Sequence, residues 1–195
     1  MNDDCLQIAA YLPRSRANGP GLRSVLWVQG CPFRCAGCFN PDFLPFSGGR
    51  EVATREVVDW MLTESETEGV SFSGGEPFAQ AGALAAVAER VRAAGKGVLV
   101  FTGYDAVELR SSRRFRRLLE AADLLVAGRY RSEMPGRHAL LASANQELVH
   151  LTERYRGADF GGRRRTEFRI AASGAITVSG FPAAPCRLGA NEATG

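Results

Sequence analysis

Cys31, Cys35 and Cys38 sit within eight residues of one another, and the other two cysteines, Cys5 and Cys186, are far away in sequence. A structural zinc site takes four ligands, commonly two Cys-x-x-Cys pairs or one such pair with two histidines. An electron-transfer cube of four irons takes four thiolates. Three thiolates hold three irons of a [4Fe–4S] cube and leave the fourth iron open, and an open coordination position lets a metal centre do chemistry. The competing reading is a zinc knuckle, or three buried thiols with no common purpose.

Composition narrows the class. A chain of 195 residues is long enough for a real core and reads as one domain over 1–195. No run of 18 or more apolar residues occurs, so no membrane span is expected. The acidic start, Met1-Asn2-Asp3-Asp4, lacks the pattern of a signal peptide, which points to a cytoplasmic protein. An odd number of cysteines, three of them clustered, argues against a disulfide framework. The net charge of +3 is weak, and the runs Arg113-Arg114-Phe115-Arg116-Arg117 and Arg163-Arg164-Arg165 read as solvated surface rather than a nucleic-acid face.

Taken in order, the stretch 6–12 reads as an edge strand, followed by a glycine-rich turn at 17–23. Ser24-Val25-Leu26-Trp27-Val28-Gln29 is a buried strand that feeds the cysteine loop. Thr54 is placed to cap a helix through Val57, Val58, Met61 and Leu62. A strand at 69–73 runs into Gly74-Gly75-Glu76-Pro77, where two glycines permit close approach of a ligand and Glu76 offers an acceptor for an ammonium group. An Ala-rich helix over 78–94, a strand at 98–102, helical patterning from Val107 to Leu119 and a strand at 123–127 follow. A fifth strand is expected within 143–151, and a hairpin around Ser173-Gly174, before a loose tail from Pro182. The repeated strand–helix alternation predicts an α/β fold with a parallel sheet, an open (β/α) barrel fragment.

The spacing Cys-x-x-x-Cys-x-x-Cys, followed by Gly74-Gly75-Glu76-Pro77, resembles the radical S-adenosylmethionine (SAM) enzymes. Within that superfamily, Asn18-Gly19-Pro20-Gly21-Leu22-Arg23, Gln29-Gly30-Cys31 and Phe39-Asn40 look like the activases of glycyl radical enzymes. Phe101-Thr102-Gly103-Tyr104, Gly128-Arg129-Tyr130 and Asn145-Gln146 favour the branch that activates anaerobic ribonucleoside-triphosphate reductase. The resemblance spans about 17–152, leaving 153–195 as a C-terminal extension with a β-hairpin.

The resemblance implies a partial (β/α) barrel of the radical SAM type, with a [4Fe–4S] cluster and SAM as cofactors. Cys31, Cys35 and Cys38 would ligate the cluster, Gly37 and Phe39 would meet the adenine, and Gly74, Gly75 and Glu76 would hold the methionine end of SAM. Thr102 would face the cofactor and Arg129 the SAM carboxylate, the latter weighed against an ordinary surface arginine. Asn145 reads either as a polar contact at the mouth of the site or as a turn residue. Reductive cleavage of SAM would give a 5′-deoxyadenosyl radical that takes a Cα hydrogen from a glycine of a partner, such as an anaerobic ribonucleotide reductase. A flavodoxin-like donor would supply the electron.

The chain departs from that branch in three places. Ala127 stands where an aspartate is usual, the Gly-Ser-x-Asn-Gln pattern is reduced to Ala142-Ser143-Ala144-Asn145-Gln146, and the chain runs past the usual end. Each change touches partner or substrate choice, so a radical SAM enzyme acting on a small molecule or peptide stays open as the alternative. A non-catalytic metal-binding module is the third reading. Cys5 and Cys186 read as ordinary thiols.

Overall fold

The sheet grows outward from the apolar strand that feeds the cysteine loop. In a computed structural model, describing residues 3–160, 164–174 and 176–181, that strand is β2 (Arg23–Val28), buried at every position. On one side it pairs in parallel with β4 (Gly69–Gly74), then β5 (Gly97–Thr102) and β6 (Leu124–Ala127). On the other side it pairs antiparallel with β1 (Cys5–Ser15), which pairs antiparallel with β3 (Arg50–Ala53). The far margin is β7 (Glu147–His150), antiparallel to β6, so the order is β3-β1-β2-β4-β5-β6-β7. The result is a mixed α/β fold, parallel at its centre and antiparallel at both margins.

The crossovers carry α1 (Thr54–Thr63), α2 (Ala81–Ala93), α3 (Ala106–Ser111) and α4 (Arg116–Ala121). Strand side chains alternate between faces. Leu26, Val28, Val70, Phe72, Val98, Val100 and Leu125 join the helices in one buried cluster with Val57, Met61, Leu84, Val87 and Leu118. The opposite face carries Val25 and Trp27, packed with Phe43, and Leu99, Leu124 and Val126, packed with Leu140 and Tyr155. Helices therefore cover one face, and irregular chain covers the other.

Buried on that second face is Arg23, whose guanidinium is fully enclosed. It donates to the Val70 carbonyl (2.6 Å), Ser71 Oγ (2.9 Å), the Tyr155 hydroxyl (2.9 Å) and the Pro20 and Gly97 carbonyls (3.0 and 3.1 Å), with Glu68 at 3.5 Å. A buried cation persists when its charge is paired and its donors are occupied. Arg23 thus stitches the starts of β2, β4 and β5 to the segment after β7.

Several local expectations change. The stretch 6–12 is an interior strand, because the four-residue β3, too short to stand out in the sequence, covers its outer edge. Thr54 is the first helical residue of α1, not its cap; Ala53 occupies the cap position without a side-chain bond. The helix expected over 78–94 opens as a 3-10 turn, Pro77–Gln80, because the Glu76 side chain accepts from the Phe78 amide there, and α2 follows. The pattern from Val107 to Leu119 breaks into α3 and α4 at Ser112, whose backbone is extended, and Val107 is exposed. The expected hairpin forms from β8 (Thr166–Ile170) and β9 (Ile176–Gly180), with Gly174 at φ +81° in its turn. Arg163, the tail from Pro182 and Cys186 lie outside the described residues.

Candidate active site

The C-terminal ends of β2, β4, β5 and β6 meet on the face not covered by helices, where an α/β sheet places its ligand crevice. A cavity opens there against Trp27, Ser73 and Phe101 of the sheet, and Cys31, Cys35 and Cys38 all border it. All three thiols are half-buried.

Backbone bonds fix the cysteine loop. The amides of Gly30 and Cys31 donate to the Phe43 and Leu44 carbonyls, both at 2.9 Å, and Gln29 Nε2 donates to the Pro45 carbonyl at 2.8 Å. The Cys38 amide donates to the Cys35 carbonyl (3.2 Å), and the Asn40 amide to Cys38 Sγ (3.4 Å). The turn after β4 locks onto the same loop, because the Gly75 amide donates to the Val28 carbonyl (2.8 Å) and the Glu76 amide to that of Gly30 (2.9 Å). This proximity explains the glycine pair. A Cβ on Gly75 would lie 2.3 Å from the Gly30 oxygen, and one on Gly74, at φ +102°, would lie 2.5 Å from the Val28 nitrogen.

Glu76 is 1% exposed and borders the cavity. Its carboxylate accepts from the Phe78 amide (2.9 Å), Thr102 Oγ1 (2.8 Å) and the Gly103 amide (2.8 Å). Burial pushes its carboxyl up to about 7 even though these three bonds pull it down. A cation arriving in the cavity would relieve that desolvation. Burial likewise raises the Cys31 thiol to about 11, with Glu76, Cys38 and Cys35 adding to the rise, and raises that of Cys38.

Phe39 borders the cavity and packs on Tyr130 with ring centroids 4.9 Å apart. Gly37, at φ +70°, does not border the cavity, and a Cβ placed on it would lie 3.3 Å from Ser132. The Arg129 guanidinium lies 4.5 Å over the Phe33 ring and pairs with Glu108 at 3.3 Å, at the rim and half-exposed. Asn145 Nδ2 donates to the Arg129 carbonyl (2.8 Å) and Gln146 Nε2 to the Gly128 carbonyl (2.9 Å), so this pair holds the loop after β6 in place. The structure therefore brings the three cysteines, Phe39, Gly74, Gly75, Glu76 and Thr102 to one cavity and leaves Gly37 and Arg129 beside it. Sequence reasoning did not assign Tyr130, Phe101 or the end of β9 as cavity walls; Phe101 and Tyr130 lay inside quoted motifs, whereas nothing in the sequence marked the end of β9.

Among the described residues no three acidic, histidine or cysteine side chains converge tightly enough to share a single ion. The three thiols ring a shared space instead, which suits a cluster because each thiolate binds a different iron. The donor set, the close glycine turn and a buried carboxylate bordering the cavity together fit a [4Fe–4S] cluster with an amino-acid ligand. The fold and site suit an iron–sulfur α/β protein with its centre at the strand ends.

Comparison with known proteins agrees. Residues 17–149 match the model of the 4Fe-4S single cluster domain. The anaerobic ribonucleoside-triphosphate reductase-activating protein of Vibrio cholerae is 34% identical over 152 residues, 73% of this chain and 96% of that protein. The protein of the same name from Escherichia coli K12 is 28% identical over 72% of this chain and 95% of its own length. A pyruvate formate-lyase-activating enzyme from Clostridium pasteurianum is 40% identical over 68 residues, 32% of this chain and 29% of that enzyme. Among solved structures, QueE from Escherichia coli aligns over 63% of this chain and 70% of its own, at 13% identity and a TM-score of 0.40. The chain belongs to the radical SAM family of activating enzymes that carry a single [4Fe–4S] cluster and use SAM.

Proposed function

We propose that this chain generates a glycyl radical on a partner enzyme of the anaerobic ribonucleotide reductase type, with Cys31, Cys35 and Cys38 as the cluster ligands. The observation that carries the reading is the meeting of these thiols and the buried Glu76 around one cavity at the strand ends. When bound, a [4Fe–4S] cluster held by these three thiolates would supply the single electron for reductive cleavage of SAM, the source of the radical that would take a hydrogen atom from a glycine Cα of the partner.

The chain's own residues bind, orient and exclude water. Glu76, held by Thr102 and two amides, accepts the SAM ammonium in a site too buried for water to compete. Gly74 and Gly75 let the turn approach the cysteine loop, placing that carboxylate beside the cluster ligands. Phe39, braced by Tyr130, offers a face to the adenine, with Gly37 allowing the loop to turn after Cys35. Arg129, stacked on Phe33 at the rim, meets the SAM carboxylate by exchanging its Glu108 contact. Hydrogen-atom transfer from glycine needs no general base; glycine lacks a Cβ to block approach. We read the sheet as a partial (β/α) barrel whose open side admits a polypeptide, in a cytoplasmic protein fed by a flavodoxin-like donor.

The test is anaerobic. The chain is loaded with iron and sulfide, reduced with dithionite and given SAM and an anaerobic ribonucleoside-triphosphate reductase. The expected result is 5′-deoxyadenosine by chromatography and a glycyl radical doublet by electron paramagnetic resonance, both absent with Cys35→Ala. A wild-type chain that loads a cluster and yields neither with the reductase overturns the reading.

A further inference from the structure

The β8–β9 hairpin lies outside the residues matched by the family model, yet it reaches the site. Val178 and Phe181 border the same cavity as the three cysteines, and the Phe181 ring sits edge-on to Phe39 with centroids 6.4 Å apart. The hairpin is fastened to the body of the protein. Glu167 accepts from Ser15 Oγ and from the Arg16 amide (2.7 Å), Asn18 Nδ2 donates to Ser179 Oγ (3.3 Å), and the Arg164 guanidinium donates to the Ala142 carbonyl (2.9 Å). An isolated two-stranded hairpin is marginal in water, and these ties to two separate segments hold this one against the cavity.

The register decides which side chains the hairpin presents. Directly opposed residues of an antiparallel pair share a face, and Phe168 opposes Val178 while Ile170 opposes Ile176. Glu167 and Ser179 form the other face, turned toward Ser15 and Asn18. Phe168, Ile170, Ile176 and Val178 therefore form one apolar strip. It starts at Val178 in the cavity wall and runs outward along the hairpin, where Phe168, Ile170 and Ile176 are 68%, 73% and 58% exposed. Three large apolar side chains left together in water mark a contact surface.

We propose that this strip is a docking surface for the polypeptide segment that carries the target glycine, and that it selects apolar residues flanking that glycine. The inference rests on the reading of the site given above. Its own support is the continuity of the strip with the cavity: a glycine inside the cavity leaves its neighbours in the chain against the strip. A small-molecule substrate would finish within the cavity and give the outer residues nothing to hold. Phe168 is the anchor, because aromatic side chains dominate the energy of such contacts.

The experiment uses the full chain loaded with iron and sulfide, and two labelled nonapeptides with a central glycine, one flanked by Val and Leu and the other by Ser and Asn. Fluorescence anisotropy reads binding, so no turnover is required. The apolar peptide is expected to bind about tenfold more tightly. The triple variant Phe168→Ser, Ile170→Ser, Ile176→Ser is expected to bind both alike. The three side chains are exposed, so their loss leaves the core intact, and the single variant Ile176→Ser, expected to lose part of the preference, serves if the triple one does not fold. Equal binding by the wild type, or a preference unchanged in the variants, overturns the proposal. SAM cleavage with dithionite and the anaerobic ribonucleoside-triphosphate reductase is measured in parallel. Discrimination between peptides with no 5′-deoxyadenosine formed in the presence of the reductase would refute the radical reading of the site while leaving the docking strip standing.

Discussion

Thr102 Oγ1 donates to Glu76 Oε1 across 2.8 Å, tying the end of β5 to the turn after β4 inside the buried wall of the cavity. The bond is one of three that offset the burial of that carboxylate. Thr102→Val removes the donor and keeps the shape, so it should lower stability by about 1.5–3 kcal/mol, the range for a hydrogen bond to a charged group. Thr102→Ser should recover most of the loss. Urea denaturation at pH 8 checks both, and a Val variant as stable as wild type would remove Thr102 from this role.

Glu76 should make the cluster-free chain pH-sensitive. Its carboxyl is raised from 4.5 to about 7 in the folded protein, so folding binds a proton there. The stabilisation is complete below about pH 4.5 and is lost as pH climbs through about 7. The urea midpoint of the wild type should fall across that window, whereas that of Glu76→Gln should hold level. Parallel curves for the two proteins would disprove the link.

Cluster loading should depend on pH in the opposite direction. Cys31 is raised to about 11 and Cys38 is also raised, so in the absence of metal these thiols keep their protons at neutral pH. Iron must displace them. At fixed iron and sulfide, the iron retained per chain should rise between about pH 7 and pH 9. A flat profile would mean that ligand protonation does not limit assembly.

Gly75→Ala should fold yet lose iron. The added methyl would meet the Gly30 carbonyl at 2.3 Å, immediately before Cys31, so the cysteine loop must shift. We expect retained iron to fall severalfold with far-UV circular dichroism unchanged. Full iron retention would show that the turn yields instead of the loop.

Arg23→Met tests the buried cation away from the site. It leaves the Tyr155 hydroxyl, Ser71 and the Pro20, Val70 and Gly97 carbonyls without their donor. Removing one partner of a buried ionic network costs about 3–5 kcal/mol. Urea midpoints measure it, and a change under about 1 kcal/mol would mean that neighbouring groups or water take over its hydrogen bonds.

The chemistry of this protein was legible in its sequence because it is carried by contiguous motifs. Cys31, Cys35 and Cys38 share one loop, and Gly74, Gly75 and Glu76 share one turn, so their spacing is fixed by covalent geometry and the pairing of β2 with β4 brings them together. The parallel centre of the sheet was equally readable, since Val25 to Val28, Val70 to Phe72 and Val98 to Val100 are runs that only a sheet covered on both faces can bury.

What the sequence hid depends on contacts between distant segments. A four-residue strand such as β3 carries too little pattern to be seen, and so β1 passed for an edge. Arg129 sits next to motif residues in the chain, but stacking on Phe33 and pairing with Glu108 place it at the rim. The hairpin's alternation was visible, whereas its seat beside the cavity was not. That seat depends on Glu167 meeting Ser15 and on Ser179 meeting Asn18, contacts across about 150 residues or more of chain. By itself, then, the sequence determined the class of chemistry, the strand–helix order and the three clustered thiols proposed as ligands, all of which are written in local spacing. Only the tertiary structure decided which side chains wall the cavity and which apolar strip leads out of it, because those depend on register and on side-chain packing between segments that the chain order keeps apart.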